Sequence, residues 1–554
     1  MSKQTVLTNA KLLEQELDEG STCGFCRIII DESGKFKSIE QGSDAEAAGA
    51  QEEGFVVDLQ GKIISPAFVD GHMHILLFGS SLQQIDVEHC RSLGEIQETI
   101  RKGALEQSDG PRVMCRGWMQ DATKGVALAT DLDEVDELKR PIYITSKDLH
   151  STWCNTAALK ELDIQDTADP EGGTIHRDEN GNPSGLLSEA AALSIVWPFL
   201  AKNRSFEENL SSVREAIKTY NAAGYTGMIE MATDDFIWEL LQHLHAHEPE
   251  NFTVRMACHK LVSPAAKVED CIGQVDSAIA MHEKFNRTNS PDLHVAGVKL
   301  ILDGVVDACT AALSQPYNQT TGTGEMLWQD EHISAVVAHA DKAGLQCALH
   351  AIGDRAVRIA VDALEAHGTP GRRHRIEHLE VTRPEDALRL GKLGITASIQ
   401  PVHSDPAILR AWHQLLGKER CGRAFAYSEF EAGGARLAIG TDAPTAPHEP
   451  FPNLHVATTR RSGRQNLGDV KGLGPVNEIA PLVTLKAFKA ATLGAAESCF
   501  LDEVTGSVEE GKSADFVVVE RSDEGEEGLM GWRVAETWFK GKKVWTRRGS
   551  RGSC

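Results

Sequence analysis

The stretch SPAFVDGHMH, residues 65–74, joins a short apolar run to the polar sequence Asp70-Gly71-His72-Met73-His74. Two histidines at positions i and i+2 of a strand point to the same side, so His72 and His74 can bind one cation. Polar groups at the carboxyl end of a buried strand are typical of the active-site face of a parallel barrel. The segment Ile64–His74 is therefore predicted to be a first barrel strand.

Similar apolar runs recur along the chain and alternate with amphipathic helical stretches. Strand–helix alternation predicts an α/β fold with a parallel sheet, and eight units over about 400 residues predict a closed (β/α)8 TIM-type barrel. The other predicted strands are Thr226–Met231, Thr253–Cys258, His294–Leu302, Leu345–His350, His374–His378, Thr396–Gln400 and Leu437–Thr441. Predicted helices between them include Phe206–Ala223, Ile333–Gly344, Ala356–His367 and Pro384–Leu393.

Two parts of the chain fall outside this pattern. Short strand-like segments at both ends predict a small β-sandwich built from residues 1–63 and 480–554, because lone hairpins are marginal in water. The barrel then covers residues 64–479. About 150 residues separate His74 from the second strand, which is far more than a normal βα loop. Residues 80–205 are therefore predicted to form an insertion domain over the active-site mouth.

The carboxyl ends of the other barrel strands also carry groups that can bind a metal. Because all these ends meet at one face of a barrel, their side chains are expected to converge. Imidazole and carboxylate ligands fit Zn²⁺ best, with Mn²⁺, Fe²⁺ or Co²⁺ as alternatives. The sequence thus predicts a site for one or two divalent metals. Its candidate ligands are His72, His74, Lys299, His350, His378 and Asp442.

Lys299 is an unusual member of this set and has two interpretations. It could form an ion pair with Asp303 or Glu377. Alternatively, a lysine with a lowered pKa is nucleophilic enough to react with CO₂, and the resulting carbamate could bridge two metals. Spacing alone does not choose between them.

Composition and missing motifs exclude several classes of function. The chain has 56 Lys and Arg against 81 Asp and Glu, a formal net charge of −25, so neither a nucleic-acid partner nor an anionic membrane is expected. No GxSxG motif occurs, which argues against a serine hydrolase, and no GxxxxGK[ST] motif occurs, which argues against a phosphate-binding loop. Twelve cysteines in a chain of this length do not indicate a disulfide framework, and the N-terminus has no secretory signal pattern. We therefore expect a cytoplasmic protein. Its expected partner is a small-molecule substrate.

At these residues the chain resembles the amidohydrolase superfamily, and within it the amidohydrolase-3 group of YtcJ-like and N-substituted formamide deformylase-like proteins. The resemblance runs nearly from end to end. It rests on SPAFVDGHMH, RGWMQD at 116–121, KDLHSTWCN at 147–155, GGTIHRDENGNPSG at 172–185, VKLILDG, HAIGDRAV, RIEHLE, SIQPVHSD, GTDAP and GSVEEGKSADFVVVE at 506–520.

The resemblance implies one metal held by His72, His74 and Asp442 and a second held by His350 and His378. It implies that Lys299, as a carbamate, bridges the two metals. Asp442 would take a proton from a metal-activated water and pass it to the leaving group, in the hydrolysis of an amide-type C–N bond. The resemblance also implies a homodimer. His150, Trp118 and His403 are the candidate substrate-binding residues.

Three other functions remain open from the sequence. A deaminase on the same fold would use one metal and place a glutamate soon after the fifth-strand histidine, whereas His350 is followed by Ala-Ile-Gly-Asp. An ester or lactone hydrolase would use the same metal chemistry. A catalytically inactive scaffold is the third alternative, although every ligand position is filled.

Overall fold

The computed structural model of the chain forms two compact units. One unit combines Met1–Ile75 with Ile217–Cys554, and the other is Leu76–Ala216. The structure describes residues 4–17, 24–41, 54–107, 110–147, 151–170, 173–189, 191–318, 321–464, 474–475, 477, 481–521 and 528–547.

Eight parallel strands form the barrel of the first unit, and neighbours in the sheet follow chain order. The seven pairings between consecutive strands are all parallel, and a parallel pair requires a crossover segment, which explains the intervening helices. The predicted barrel is confirmed. Its strands are Phe68–Met73, Tyr225–Thr233, Arg255–Leu261, Leu293–Ile301, Gln346–Ala351, Arg375–His378, Thr396–Ile399 and Arg436–Ile439.

Backbone hydrogen bonds join the eighth strand to the first and close the barrel. The amide nitrogens of Thr441 and Asp442 donate to the carbonyl oxygen of His72, at 3.2 and 2.7 Å. This approach depends on Gly440, where an added Cβ atom would lie 2.4 Å from the backbone nitrogen of His72. The same is true of Gly71, whose added Cβ would lie 2.8 Å from the carbonyl oxygen of Ile439. The glycines that flank the candidate ligands are therefore needed for closure.

Amphipathic helices pack around the barrel. The helix Pro384–Leu393 shows how the sequence sets their limits, because proline occupies its first turn and Gly394 ends it in a left-handed conformation (φ 68°). The α-helices of this unit are Leu13–Leu17, Phe206–Ala223 (which starts in the other unit), Asp235–His247, Val268–Lys284, Asp330–Lys342, Asp354–His367, Pro384–Leu393, Trp412–Cys421, Tyr427–Ala432, Pro450–Thr459, Thr484–Ala490 and Leu493–Ser498. Shorter 3₁₀ turns are Pro401–Ser404 and Gly528–Gly531.

Strands from both chain ends form a β-domain in which eight strands belong to one connected sheet. The strand Thr5–Leu12 connects the two parts of this sheet, since it pairs with Cys26–Ile30 and, at its end, with Ile63–Pro66. The C-terminal strand Phe516–Arg521 pairs with Ile63–Pro66. Buried side chains such as Ile28 and Phe516 fill the core of this domain. The remaining strands are Phe36–Gln41, Phe55–Asp58, Trp532–Phe539 and Lys542–Thr546.

The predicted first strand, Ile64–His74, is two strands in the structure. Ile63–Pro66 belongs to the terminal β-domain, and Phe68–Met73 belongs to the barrel. Ala67 lies between them. Pro66 has no amide hydrogen to donate, which limits ladder pairing at this point and favours the change of sheet.

Two helices within the predicted sandwich segment 480–554 pack on the barrel instead. Ser498, at the end of Leu493–Ser498, accepts a hydrogen bond from Gln346 Nε2 at 2.8 Å through its carbonyl. Its hydroxyl accepts another from Arg375 Nη1 at 3.1 Å. Gln346 and Arg375 begin the fifth and sixth barrel strands. This helix therefore covers the amino end of the barrel. The barrel unit thus extends beyond residue 480, where the sequence predicted that the β-sandwich segment begins.

The second unit, Leu76–Ala216, contains a six-stranded sheet with its own core. In sheet order its strands are Gly173–Arg177, Pro183–Glu189, Ser151–Cys154, Ile142–Ser146, Val113–Trp118 and Ile85–Asp86. Its α-helices are Ile75–Ser81, Leu93–Glu106, Thr156–Leu162 and Trp197–Lys202, with 3₁₀ turns at Gln120–Thr123 and Ala129–Asp131 and a π-helix at Ala192–Val196. The rings of Trp118 and Trp153 pack in this core, 5.4 Å apart between centroids.

Within the described ranges, no helix has both the length and the apolar character to span a lipid bilayer.

Candidate metal centre

The carboxyl ends of the first, sixth and eighth barrel strands bring three candidate ligands together. His72, His378 and Asp442 each place a ligand atom within 4.8 Å of the other two. His74 joins them, because its Nε2 lies 3.0 Å from Asp442 Oδ1, while His72 Nε2 lies 3.5 Å from the same oxygen. Three histidine side chains thus converge around the carboxylate of Asp442.

Left-handed backbone at two strand ends helps to aim these groups. His378 has a φ of 76° and Asp442 a φ of 56°. In a regular strand, consecutive side chains point to opposite faces. At His378 the alternation is broken, and both Glu377 and His378 lie against His72. Sparsely populated conformations of this kind persist where the surrounding structure holds them, and they cluster at functional sites.

His350 lies next to this group on the fifth strand. Its ring centroid is 4.4 Å from that of His378. Its Nε2 lies 3.4 Å from the carbonyl oxygen of Gly304 and 3.5 Å from Asp303 Oδ1. The structure therefore places His350 beside the cluster, and its role as a metal ligand stays a prediction.

Lys299 is buried within the fourth strand, with 2% of its surface exposed. It pairs in register with Ala348, two residues before His350. In the described part of the chain, Lys299 forms no ion pair with Asp303 or Glu377, so the simple pairing interpretation is not realised. Burial lowers the pKa of Lys299 to about 8, against the opposing effects of Glu377 and Asp442.

A buried carboxylate orients His72. Glu377 Oε2 lies 2.8 Å from His72 Nδ1, and the glutamate is in turn paired with Arg375 at 2.6 Å. Burial would raise the pKa of Glu377, but Arg375 and His72 hold it well below its usual range, so it is a carboxylate. His72 Nδ1–H therefore donates to Glu377. The other ring nitrogen, Nε2, carries a lone pair and faces Asp442.

Two further buried aspartates hold the strand ends in place. Asp70 accepts hydrogen bonds from the backbone of His72 (3.1 Å) and of Thr441 (2.9 Å), and so ties the first strand to the eighth. Asp303 accepts bonds from the amides of Ile352 and Gly353, at 3.0 and 2.8 Å. The signal for Asp70 was present in the sequence, since it lies two residues before His72 on the same strand.

Glu230 is a functional candidate that the sequence analysis did not identify. It is 1% exposed on the second strand, and its Oε2 accepts a hydrogen bond from the backbone nitrogen of Ile75 at 2.6 Å. Burial raises its pKa to about 7, although His74 opposes this shift. An acidic residue inside the apolar run Tyr225–Thr233 was the available signal.

The donor set fits a divalent cation. Burial, reinforced by Lys299, lowers the pKa of His72 to about 4 and that of His350 to about 3, so both imidazoles are neutral as metal ligation requires. His378 Nδ1 is buried and has no hydrogen-bond partner among the described residues. A buried polar atom without a partner is costly, and a bound cation removes that cost.

The three predicted substrate-binding residues have different positions. His403, in the turn after the seventh strand, lies 3.7 Å from Asp442 Oδ2 through its Nε2. Trp118 is fully buried in the core of the Leu76–Ala216 unit. His150 lies outside the described residues. The substrate contacts predicted for these three side chains stay predictions.

Comparison with known proteins agrees with this geometry. Residues 56–545 match the profile of the amidohydrolase family. The chain belongs to the amidohydrolase family. It is accordingly a hydrolase by class, and the predicted relationship to the amidohydrolase-3 group is confirmed.

Individual relatives cover most of the chain. The Arabidopsis thaliana protein LONG AFTER FAR-RED 3 is 30% identical over 499 residues, which cover 87% of this chain and 82% of the relative. N-substituted formamide deformylase from Arthrobacter pascens is 23% identical over 568 residues, covering 99% of each chain. Among solved structures, an uncharacterized metal-dependent hydrolase from Pyrococcus horikoshii superposes with a TM-score of 0.75 at 23% identity, over 94% of this chain and 98% of that one.

Proposed function

We propose that this amidohydrolase uses a divalent metal to cleave the amide-type C–N bond of a small molecule. The observation that carries the proposal is the convergence of His72, His74, His378 and Asp442 at one barrel rim. The amide specificity is supported by the relative that is similar over its whole length and is named for deformylation of N-substituted formamides.

The proposed ligands divide into two groups. His72, His74 and Asp442 would hold one cation, and His350 with His378 would contribute to a second. Lys299 is proposed to bridge the groups as a carbamate. Its burial and lowered pKa support this role, because only a neutral amine attacks CO₂. Zn²⁺ is the proposed metal, since imidazole and carboxylate ligands suit it well.

When bound, a divalent cation polarises the scissile carbonyl and lowers the pKa of a water molecule towards neutrality. Asp442 is the residue that we propose would accept the proton of that water. Burial would raise the pKa of Asp442, but His72, His74 and His378 hold it well below its usual range, so the carboxylate is ionised and can act as a base. Its Oδ1 faces His72 and His74, and its Oδ2, which lies 3.7 Å from His403 Nε2, would carry the proton to the leaving amine.

A substrate panel tests this function. Zinc-loaded protein is incubated with N-acyl and N-formyl amines, matched esters and lactones, and aminopurines. We expect hydrolysis of the amides to exceed hydrolysis of the esters relative to their uncatalysed rates. Ammonia release from aminopurines alone would instead identify a deaminase. Absence of turnover on every class, with metal bound, would contradict the proposal.

A further inference from the structure

The side chain of Gln400 is buried directly after the seventh barrel strand. Only 1% of the residue is exposed. Within the part of the chain that the structure describes, neither its Nε2 nor its Oε1 forms a hydrogen bond. Its backbone carbonyl, by contrast, accepts a bond from the amide of His403 at 2.9 Å. A buried carboxamide without bonds is costly, because folding removes its bonds to water and replaces none of them. The side chain of Gln400 is therefore a candidate for binding a ligand.

Gln400 faces the interior of the barrel. Two residues earlier, the Ser398 hydroxyl accepts a hydrogen bond from Arg375 Nη2 at 2.7 Å, and the same nitrogen donates to the carbonyl of Gly71 at 2.5 Å. Arg375 and Gly71 lie on the sixth and first strands, which are not neighbours, so the arginine side chain crosses the interior and Ser398 points into it. The backbone of Gln400 is still extended, with φ −122° and ψ 89°. Alternate side chains of a strand share a face, so Gln400 points the same way as Ser398.

Gln400 also lies at the carboxyl-end face of the barrel. Ladder pairing of the seventh strand with its neighbours, the sixth and eighth strands, reaches Ser398 and Ile399. Gln400 comes next, between the two strand ends that carry His378 and Asp442. Active sites of such barrels are built at this face. The buried amide is therefore aimed into the same interior as the candidate metal ligands.

The chemistry of a carboxamide suits the recognition of another amide. The group has an oxygen acceptor and an NH₂ donor, and it has no charge. An amide substrate brings an N–H donor and a carbonyl acceptor, whereas an ester brings the carbonyl but no N–H. With an ester bound, the Oε1 of Gln400 would stay buried and unpaired, which disfavours the ester complex.

We propose that Gln400 is a specificity-determining residue that binds the amide group of the substrate. Its Oε1 accepts the N–H of the scissile amide, and its Nε2 donates to an oxygen acceptor of the bound substrate. Substrate binding thus supplies the hydrogen bonds that the fold does not, and Gln400 favours amides over esters. The proposal rests on the proposed amide hydrolysis and deepens it, because it names the residue that selects the bond.

Thermal unfolding separates a binding role from a structural role. Gln400→Met keeps an unbranched side chain of similar size but removes the amide. The matched control is Gln346→Met, because Gln346 is also 1% exposed, yet its Oε1 lies 2.8 Å from His259 Nε2 and its Nε2 donates to the Ser498 carbonyl at 2.8 Å. Full-length Gln400→Met should unfold at the wild-type temperature or above it, and Gln346→Met at a lower temperature. Equal destabilisation of the two variants would make Gln400 structural and overturn the proposal.

Kinetics test the specificity. The ratio of kcat/KM for an N-acyl amine to kcat/KM for the matched ester is measured in zinc-loaded wild type and in both variants. We expect Gln400→Met to lower this ratio about 10-fold or more, since the variant no longer accepts the N–H of the amide. Gln346→Met should keep the wild-type ratio. An unchanged ratio in Gln400→Met contradicts the assignment.

A binding measurement distinguishes this proposal from the proposed function. Protein labelled with ¹⁵N in its glutamine side chains is titrated with N-methylacetamide and followed by NMR. The Gln400 signal, identified by its absence from Gln400→Met, should move, and the Gln346 signal should not. A Gln400 signal that stays in place overturns the proposal. A signal that moves in a protein that hydrolyses no substrate class supports amide binding by Gln400 and contradicts the proposed hydrolysis alone.

Discussion

Glu377 Oε2 lies 2.8 Å from His72 Nδ1, although 305 positions separate the two residues in the chain. The contact joins the sixth strand to the first and fixes which nitrogen of His72 faces the metal centre. Carboxylate partners of ligating histidines tune metal affinity by orienting the ring and raising its basicity. The same glutamate neutralises the fully buried Arg375.

Glu377→Gln should weaken metal binding. We expect metal affinity to fall about 10- to 100-fold, because the amide cannot strengthen the basicity of His72 as a carboxylate does. Loss of the charge beside buried Arg375 should also lower the free energy of unfolding by about 3–5 kcal/mol. Chelator competition and urea denaturation measure the two effects. Glu385→Gln, at an exposed helix end, is the control, and equal metal affinity in both variants would refute the role of Glu377.

Asp442→Asn should abolish turnover and leave the fold intact. The amide keeps the size of the carboxylate but cannot accept a proton from water. We expect kcat to fall by about 10²–10⁴-fold or more. Asp276→Asn, at an exposed surface position, should retain full activity. His74→Ala should be inactive as well, since it removes a group 3.0 Å from Asp442. Retained hydrolysis in Asp442→Asn would remove Asp442 as the proton carrier.

Carbamylation of Lys299 should depend on pH. The pKa of this amine is lowered to about 8, so the ammonium form predominates below that value and the nucleophilic amine above it. Incorporation of ¹³C-labelled CO₂ into metal-free protein should therefore become faster as the pH rises through about 8. Lys299→Arg keeps a positive charge but forms no carbamate, and serves as the control. A carbamate signal of equal size in wild type and Lys299→Arg would assign the label to another site.

Two glycine substitutions should have opposite effects on stability. In Gly440→Ala the new methyl group would lie 2.4 Å from the His72 backbone nitrogen, which forces the first and eighth strands apart. We expect a loss of about 1–3 kcal/mol or more. Gly273 lies inside the helix Val268–Lys284 with open space around it, so Gly273→Ala should gain about 0.5–1 kcal/mol. Equal thermal stability of the two variants would argue against tight closure.

The pair Asp136–Arg140 should stabilise the Leu76–Ala216 unit only above a certain pH. The guanidinium of Arg140, which outweighs the effect of burial, lowers the pKa of Asp136 below its usual range. A lowered folded-state pKa gives stability that is complete above the unfolded pKa of about 3.9 and is lost as the pH falls. Asp136→Asn should cost about 3 kcal/mol at neutral pH.

Hydrogen exchange of peptides from Leu76–Ala216 measures that cost locally. The difference between wild type and Asp136→Asn should shrink below about pH 4, where the wild-type carboxyl takes up its proton. A difference that stays constant from neutral pH to pH 3 would show that the charge of Asp136 is not its source.

The sequence was sufficient to predict the barrel and the convergence of the candidate ligands, because both follow from periodicity and from the common direction of parallel strands. Strand limits were less accurate. Thr253–Cys258 was predicted where Arg255–Leu261 is observed, since polar His259 and Lys260 interrupt the apolar run yet lie buried. Glu377 was considered only as a partner of Lys299. Its contact with His72 depends on three-dimensional register, which no local pattern records.

Buried carboxylates were the main omission in the candidate site. The sequence places Asp70 and Glu230 within predicted strands and Asp303 close to Lys299, but only the closed barrel reveals that all three are desolvated and bonded to backbone amides. The left-handed conformations of His378 and Asp442 were likewise not predictable, because neither residue type requires them.

The pairing of Ile63–Pro66 with Phe516–Arg521 has a consequence for synthesis of the chain. A ribosome that adds about 5–20 residues per second synthesises Phe516–Arg521 on the order of half a minute or more after Ile63–Pro66. Throughout that interval the early strands have an open edge, which other nascent chains can join. The open edge of the N-terminal strands is therefore covered only after Phe516–Arg521 has been synthesised. Cells that make the protein rapidly should need chaperones to shield that edge.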